Sequence, residues 1–234
     1  MNIWMYWEGR KRPPWLNLCL DTVHKHLGNN SLHIISKEDA PTYMQWIPEQ
    51  WDNLPPAIRA GIFRVHALYM YGGLWLDFDT IVLQPLQKLF DLLEEHKYIG
   101  FGHNHRLCNG VMASVKQGTM ITKFLNEQKK CLAGAVKIEW GTIGVQLQRK
   151  ICKEYPDAWH NHPAEKSYPV LYEDWEVFLH SNVNPSLLAS VCAADVVPLF
   201  NKYMSNLLSG ISREHLLKSD MLLSHLYRKA LGNA

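Results

Sequence analysis

The sequence predicts an α/β protein with a mostly parallel central sheet flanked by helices, and three observations carry that expectation. The chain opens strand–helix–strand, which a parallel sheet requires. Further on, a long helix stops at a glycine pair and feeds straight into a short apolar strand. The composition, 47% hydrophobic and 20% charged over 234 residues, supplies one sizeable core and is marginal for two. With no internal repeat, low-complexity tract or linker in view, one domain spanning residues 1–234 is expected.

The elements follow in order. Ile3–Trp7 reads as the first strand, ended by Glu8-Gly9. Pro13-Pro14 opens a helix from Trp15 to His26, with Leu16, Cys19, Leu20 and Val23 at helical spacing. Gly28-Asn29-Asn30 stops it, and Leu32–Ile35 forms a second strand. After short helical pieces and turns between Pro41 and Pro56, a stronger helix runs from Ala57 to Tyr71 on a stripe of Ile58, Ile62, Val65, Leu68 and Tyr69. Gly72-Gly73 terminates it. Leu74–Leu76 is a strand, and Ile81–Leu83 continues toward Pro85. A helix is expected over Lys88–Glu95, strands over Tyr98–Gly102 and Gly110–Ser114, and a helix over Thr119–Cys131. The tract from Trp140 to Pro198 is turn-rich, and one last helix is expected over Arg213–Leu231.

Bulk properties remove several classes of function. A net charge of +2 is too small for bulk nucleic-acid binding, and the basic run Arg10-Lys11-Arg12 reads as a solvated loop. Five scattered cysteines without a CxxC read as reduced thiols. No apolar stretch of about 18 residues exists, and Glu8–Arg12 interrupts any leader-like run. A cytoplasmic protein without a transmembrane segment is expected, with peripheral membrane contact left open. The nine tryptophans offer platforms for bases and sugars, although most belong in the core.

The chemistry concentrates in Tyr71-Gly72-Gly73-Leu74-Trp75-Leu76-Asp77-Phe78-Asp79-Thr80. Asp77 and Asp79 lie two apart on an extended segment, so both side chains point one way and can converge on one cation. Hard carboxylate oxygens suit Mg²⁺ or Mn²⁺. The longer stretch Arg64–Thr80 resembles the DxD region of GT-A glycosyltransferases, most closely the capsular polysaccharide synthesis and family 32 type. Ile3–Gly9 is similar to that family's opening strand, and Asn109-Gly110-Val111-Met112-Ala113-Ser114 to its downstream Asn-Gly strand.

The resemblance implies a single GT-A domain that moves a sugar from a nucleotide diphosphate donor, uridine-based, to a hydroxyl of a glycan, with retention of configuration. It also implies roles. Asp79 would bind Mn²⁺ or Mg²⁺ directly, and Asp77 would contact the ribose and the metal. Arg64 would contact the donor sugar or phosphate. Tyr6 and Trp7 would bind the nucleotide, Trp7 by stacking on the base, and Asn109 would line the sugar pocket near the reacting carbon. Lys202, Lys218 and His225 are candidates for a further diphosphate contact, with His225 also a third metal ligand.

Members of the family carry an aspartate three residues before the arginine; here that position is Gly61. A donor with fewer hydroxyls, such as a deoxyhexose, would suit the loss. An inverting enzyme would instead need a carboxylate base, for which Glu139, Glu173 and Asp174 are available. Neither His103-Asn104-His105 nor His160-Asn161-His162 has Cys or carboxylate companions at zinc spacing; His103 or His105 could line the acceptor side. A haloacid-dehalogenase-like phosphohydrolase also places Asp-x-Asp after an apolar strand. In this chain, however, Thr80 falls one place early and a whole strand–helix–strand unit precedes the motif. A non-catalytic nucleotide-sugar-binding module is the remaining alternative.

Overall fold

The computed structural model describes residues 1–103, 106–134, 138–139 and 141–232. In chain order the strands are β1 (Asn2–Tyr6), β2 (Ser31–Ile35), β3 (Gly73–Leu76), β4 (Thr80–Val82), β5 (Tyr98–His103), β6 (Arg106–Ser114), β7 (His160–His162) and β8 (Val196–Pro198). The helices are α1 (Pro14–His26), α2 (Ala40–Tyr43), α3 (Pro56–Tyr71), α4 (Gln87–His96), α5 (Thr119–Gly134), α6 (Val145–Glu154), α7 (Ala164–Ser167), α8 (Pro185–Cys192), α9 (Asn201–Leu208), α10 (Arg213–Lys218) and α11 (Leu222–Leu231). The chain divides into two compact units. One holds Met1–Glu8, Asn30–Leu76 and Lys88–His162; the other holds Gly9–Asn29, Asp77–Gln87 and Pro163–Ala234.

The first unit is built on a six-stranded sheet of order β2-β1-β3-β6-β5-β7. Strand β1 pairs in parallel with β2 and β3, β6 runs antiparallel to β3 and β5, and β5 pairs in parallel with β7. Only β6 is reversed, so the mostly parallel sheet read from the sequence is present. The reversal follows from connectivity: β5 and β6 are consecutive and pair His103 with Arg106, as a hairpin does.

Helix α3 supplies the sheet unit with much of its core. Ile58, Ile62, Phe63, Val65, Ala67 and Leu68 are all buried. Each such large apolar side chain contributes about 1.5–3 kcal/mol on burial. Phe63 sits at the centre of an aromatic knot, its ring 5.9–6.4 Å from those of Trp4, Tyr6, Tyr43 and Trp75. The Trp4 indole donates to the Gly72 carbonyl at 3.0 Å, so the apolar knot leaves that polar edge satisfied.

The glycine pair after α3 is more than a helix stop. Gly72 adopts φ +68°, and a Cβ there would lie 2.6 Å from the Lys116 nitrogen. Gly73 adopts φ +108°, and a Cβ would lie 2.1 Å from the Asn2 carbonyl oxygen on β1. Only glycine allows both the left-handed turn and this close approach of β3 to its neighbour.

The second unit has its own two-stranded antiparallel sheet, β4 with β8, pairing Ile81 with Val197. Residues 80–82 thus pair with β8 and not with a strand of the larger sheet. Thr22 on α1 fixes β4: its Oγ1 accepts from the Val82 N–H at 2.9 Å and donates to the Cys19 carbonyl at 2.7 Å. Tyr227 of α11 donates its hydroxyl to the Trp15 carbonyl at 3.0 Å.

The expected last helix is two helices. Ser219 is extended after α10, and Met221 is extended before α11. Met221 bridges Ser181, and the Leu222 N–H donates to the His180 carbonyl at 3.1 Å. That tertiary pairing removes the break from helical geometry, although the apolar spacing runs through it. Arg228 Nη1 satisfies the freed carbonyls of Leu217 and Ser219 at 2.7 and 2.9 Å. Among the described residues no helix is long and apolar enough to cross a membrane.

Candidate functional site

The Asp77–Asp79 stretch lies between two strands. Strand β3 ends at Leu76 and β4 begins at Thr80. The Thr80 N–H donates to the Asp77 carbonyl at 3.1 Å, closing a turn that re-aims the chain between them. Asp77 is half-buried and Asp79 is 8% exposed.

Within the second unit Asp79 is held at several points. Its carbonyl accepts from the Leu199 N–H at 2.9 Å, and its Oδ2 accepts from the Asn201 N–H, the first residue of α9, at 2.5 Å. A carboxylate at a helix N-terminus is favoured by the helix dipole and by the orphan N–H groups there. The residue before it, Phe200, sits in the left-handed region at φ +59°, an unusual conformation for a bulky side chain. Deep burial pushes the Cys19 thiol and the Tyr227 phenol up, and the nearby charge of Asp79 adds to both.

Phe78, between the aspartates, is buried under the Arg12 guanidinium, which stands 5.2 Å from its ring centroid. Arg12 belongs to the basic run read as a solvated loop. Its side chain is instead half-buried and brings a cation beside the aspartate turn.

In the sheet unit, Trp7 directly follows β1 and its N–H donates to the Ile35 carbonyl at 2.9 Å, the last rung of the β1–β2 ladder. Tyr6 is nearly buried, and its hydroxyl donates to Glu8. Glu8 in turn is gripped by Arg59, Nε to Oε1 at 2.7 Å and Nη2 to Oε2 at 2.5 Å, while Arg59 Nη1 reaches the carbonyls of Trp51 and Leu54. Burial alone would raise the Glu8 carboxyl. The hydrogen bonds from Arg59 and Tyr6 and the Arg59 charge outweigh it and hold the group below its ordinary value. Tyr6 is thus committed to a buried network at the end of β1. Sequence reasoning missed both Glu8 and Arg59; the available signal was an acid just past the first strand and an arginine in the first turns of α3.

Arg64 is 5% exposed, and its guanidinium lies 4.8 Å from the Trp75 ring centroid, a cation–π arrangement inside the sheet unit. Asn109 lies on β6, two residues before Val111, which pairs with Leu76 at the end of β3. A Cβ on Gly144 would fall 2.6 Å from Asn109 Nδ2, so the Asn109 amide packs against the start of α6. Beside Gly61 an added Cβ would meet nothing within 4 Å, while the Gly61 carbonyl accepts from Gln128 Nε2 at 3.1 Å.

Asp77 and Asp79 lie on a turn rather than on the extended segment read from the sequence, so the alternation of a strand does not aim their side chains; hard carboxylate oxygens remain the ligand type that suits Mg²⁺ or Mn²⁺. His225 does not join this pair. No group of three His, Cys, Asp or Glu able to hold a metal is present among the described residues. The His225 ring is instead taken by Asp220 at 2.9 Å and Arg228 at 3.0 Å. Lys218 pairs with Glu214 on its own helix, and Lys202 lies 5.6 Å from the Tyr203 ring centroid. His103 ends β5, His160 on β7 stacks on His96 at 4.2 Å, and His105 lies outside the described residues.

The family model described as capsular polysaccharide synthesis protein matches residues 1–125. An O-glycosyltransferase, PaGT, of Phomopsis amygdali is 26% identical over 114 residues, 41% of this chain and 28% of that protein. The lactosylceramide 4-alpha-galactosyltransferase of Rattus norvegicus is 23% identical over 180 residues, 70% of this chain and 47% of that protein. The chain therefore spans less than half the length of these curated relatives. Among solved structures, the glycosyltransferase GlyE of Streptococcus pneumoniae superposes with a TM-score of 0.51 at 12% identity, covering 98% of this chain and 60% of that one. A glycosyltransferase involved in glycosylation of the major capsid of PBCV-1 gives 0.50 at 13% identity, covering 85% and 94%. At such identities the likeness establishes the fold, and it is the GT-A fold expected from the sequence.

Proposed function

The chain belongs to the capsular polysaccharide synthesis protein family, and from that premise we propose that it is a glycosyltransferase whose donor is a nucleotide diphosphate sugar. The observation that carries the reading is the Asp77–Asp79 turn at the end of β3, with Asp79 aligned by the Asn201 N–H. Membership sets aside the phosphohydrolase alternative.

In this proposal the 234 residues act as one catalytic domain. Asp79 and Asp77 hold Mn²⁺ or Mg²⁺, which when bound supplies positive charge against the diphosphate as it departs. Arg64, a fixed fork of donors, contacts the donor sugar or phosphate. Trp7 stacks on a uracil base, and Asn109 lines the sugar pocket. The bond from the anomeric carbon to the diphosphate oxygen breaks and a bond to the acceptor hydroxyl forms. The proton of that hydroxyl passes to the departing diphosphate oxygen, and the anomeric configuration is retained. The acceptor is a glycan. Open space beside Gly61, with no carboxylate there, supports a donor with fewer hydroxyls, such as a deoxyhexose.

The test separates charge from folding at Asp79. Asp79→Asn keeps an acceptor for the Asn201 N–H and loses the charge; Asp79→Ala loses both. Both variants are expected to lose sugar transfer and the rise in melting temperature given by UDP plus Mn²⁺. Only the alanine variant is expected to lose stability as well, by about 0.5–2 kcal/mol as for a lost helix cap. Wild-type transfer by either variant refutes the assignment. Turnover across a panel of nucleotide sugars tests the donor, and strong preference for a fully hydroxylated glucose donor counts against the Gly61 argument. Nucleotide binding without any transfer would favour the non-catalytic module.

A further inference from the structure

An aromatic cluster in the second unit is not used by any role assigned above. It begins at Phe178, which is fully buried. Phe178 lies 6.5 Å from Phe200, and Phe200 meets the Tyr172 ring edge-on at 5.5 Å. Tyr172 is 5.1 Å from Tyr203, and Tyr203 stacks on Trp175 at 4.9 Å with planes 4° apart. The Tyr203 hydroxyl donates to the Tyr172 hydroxyl. The cluster thus runs from the core outward, with its root fixed and its outer rings held in mutual orientation.

Those outer rings are partly exposed. Tyr172 is 42% exposed, Trp175 and Tyr203 are half-buried, and Leu171 and Leu207 beside them are exposed as well. Tyr203 and Leu207 are four apart on α9 and so share a face. The same helix begins at Asn201, whose N–H binds the Asp79 carboxylate at 2.5 Å. The aromatic face therefore starts two residues past the one whose N–H binds the carboxylate proposed to hold the cation.

The surroundings decide what such a face can take. Glu173, Asp174 and Glu176 are exposed and interspersed with Tyr172, Trp175 and Val177, and Lys202 places a cation near the Tyr203 ring. Carboxylates in that number repel an anionic membrane surface. They accept hydrogen bonds from hydroxyl groups, and an aromatic face matches the apolar C–H face of a pyranose ring. A polyhydroxylated ring with one apolar side fits both features.

Resting on the glycosyltransferase reading, we infer that Tyr172, Trp175 and Tyr203 form a stacking platform for the carbohydrate acceptor, beside Asp79. The experiment is saturation-transfer NMR on the whole chain with lactose and maltose as probes, for wild type and for Tyr172→Ala and Trp175→Ala. Melting with UDP plus Mn²⁺ is followed in parallel. Because Tyr172 is exposed, its truncation keeps the test alive if Trp175→Ala fails to fold. Expected is saturation of ring C–H protons by the wild type and about fivefold weaker sugar binding in each variant, the size of one aromatic contact. The UDP–Mn²⁺ shift should be unchanged in both variants. Undiminished sugar contact in the variants overturns the platform. So does a wild type that contacts neither sugar, including one that instead sediments with phosphatidylglycerol vesicles. A wild type that stacks sugar through these residues but shows no UDP–Mn²⁺ shift leaves the platform standing and removes the donor reading.

Discussion

The six-stranded sheet and the β4–β8 pair meet in sequence at Asp77–Asp79, yet they are assembled differently. In the sheet, every strand but β7 (His160-Asn161-His162) announces itself by a local run of apolar residues, and β5 and β6 pair as chain neighbours. In the pair, Ile81 waits for Val197, and no short-range pattern marks the two as partners. The difference shows how the aspartate turn is made. Its entry is dictated by a helix, two glycines and an apolar strand, whereas its exit is dictated by contacts with residues far along the chain, Leu199 and Asn201 among them.

The largest expected effect breaks the entry. Gly73→Ala combines a forbidden φ with a 2.1 Å clash against the Asn2 carbonyl oxygen. It should cost more than about 3 kcal/mol in urea unfolding, or prevent folding outright. Gly61→Ala is the control on the same helix: nothing lies within 4 Å of the added carbon, so a gain of up to about 1 kcal/mol is expected. If the two variants behave alike, the glycine argument is wrong.

Next is the Glu8–Arg59 pair in the sheet unit, whose side chains are 15% and 8% exposed. Arg59→Ala strands a largely buried carboxylate and should cost about 3 kcal/mol. Arg59→Lys should recover part of that, since it restores the charge without the fork. Equal midpoints for the two variants in urea would show that the fork geometry contributes nothing.

A pH effect of similar size is expected at His66. Burial, with a smaller contribution from the Lys129 charge, pushes its imidazole down from 6.5 to about 4 against the hydrogen bond to the Ile62 carbonyl. Between those values the unfolded chain binds a proton that the folded chain refuses, so stability rises with pH there and falls as the solution is acidified. The loss from pH 7 to pH 4 through this one group is at most about 3 kcal/mol. His66→Gln should flatten the profile by that amount in urea titrations at several pH values; an unchanged slope would remove the assignment.

The smallest expected effect sharpens the other side of the comparison. Thr22→Val leaves the Val82 N–H without its acceptor and should cost about 1–3 kcal/mol. A neutral result in urea unfolding would mean that β4 is held by its pairing with β8 alone.

Legibility in the sequence follows the same divide. Strands β1, β2, β3, β5 and β6 and helices α1, α3, α4 and α5 were readable because each keeps its own period. Helix α6 was not: few of its residues are apolar, and Gln148 is buried among them, bonded through Nε2 to the Tyr98 hydroxyl at 3.1 Å. Strand β8 is three residues inside a turn-rich tract, and the break before α11 is imposed by Ser181 and His180. Of the residues proposed for the site, the aspartates stood out by type and spacing, and Arg64, Trp7 and Asn109 only through the resemblance to the family. Arg12, Arg59 and Asn201 did not, because their partners Phe78, Glu8 and Asp79 lie far away in sequence or carry no special pattern.

The pairing of β4 with β8 also constrains how the chain can be born. Ribosomes deliver residues in order, and at ordinary elongation rates Val197 emerges on the order of ten seconds after Ile81. Throughout that interval the nascent polypeptide carries an apolar ribbon with no mate, just downstream of the aspartates. A chaperone that shields short extended segments would find its natural client in this stretch, and slowing translation should lengthen the window in which the newborn chain clumps.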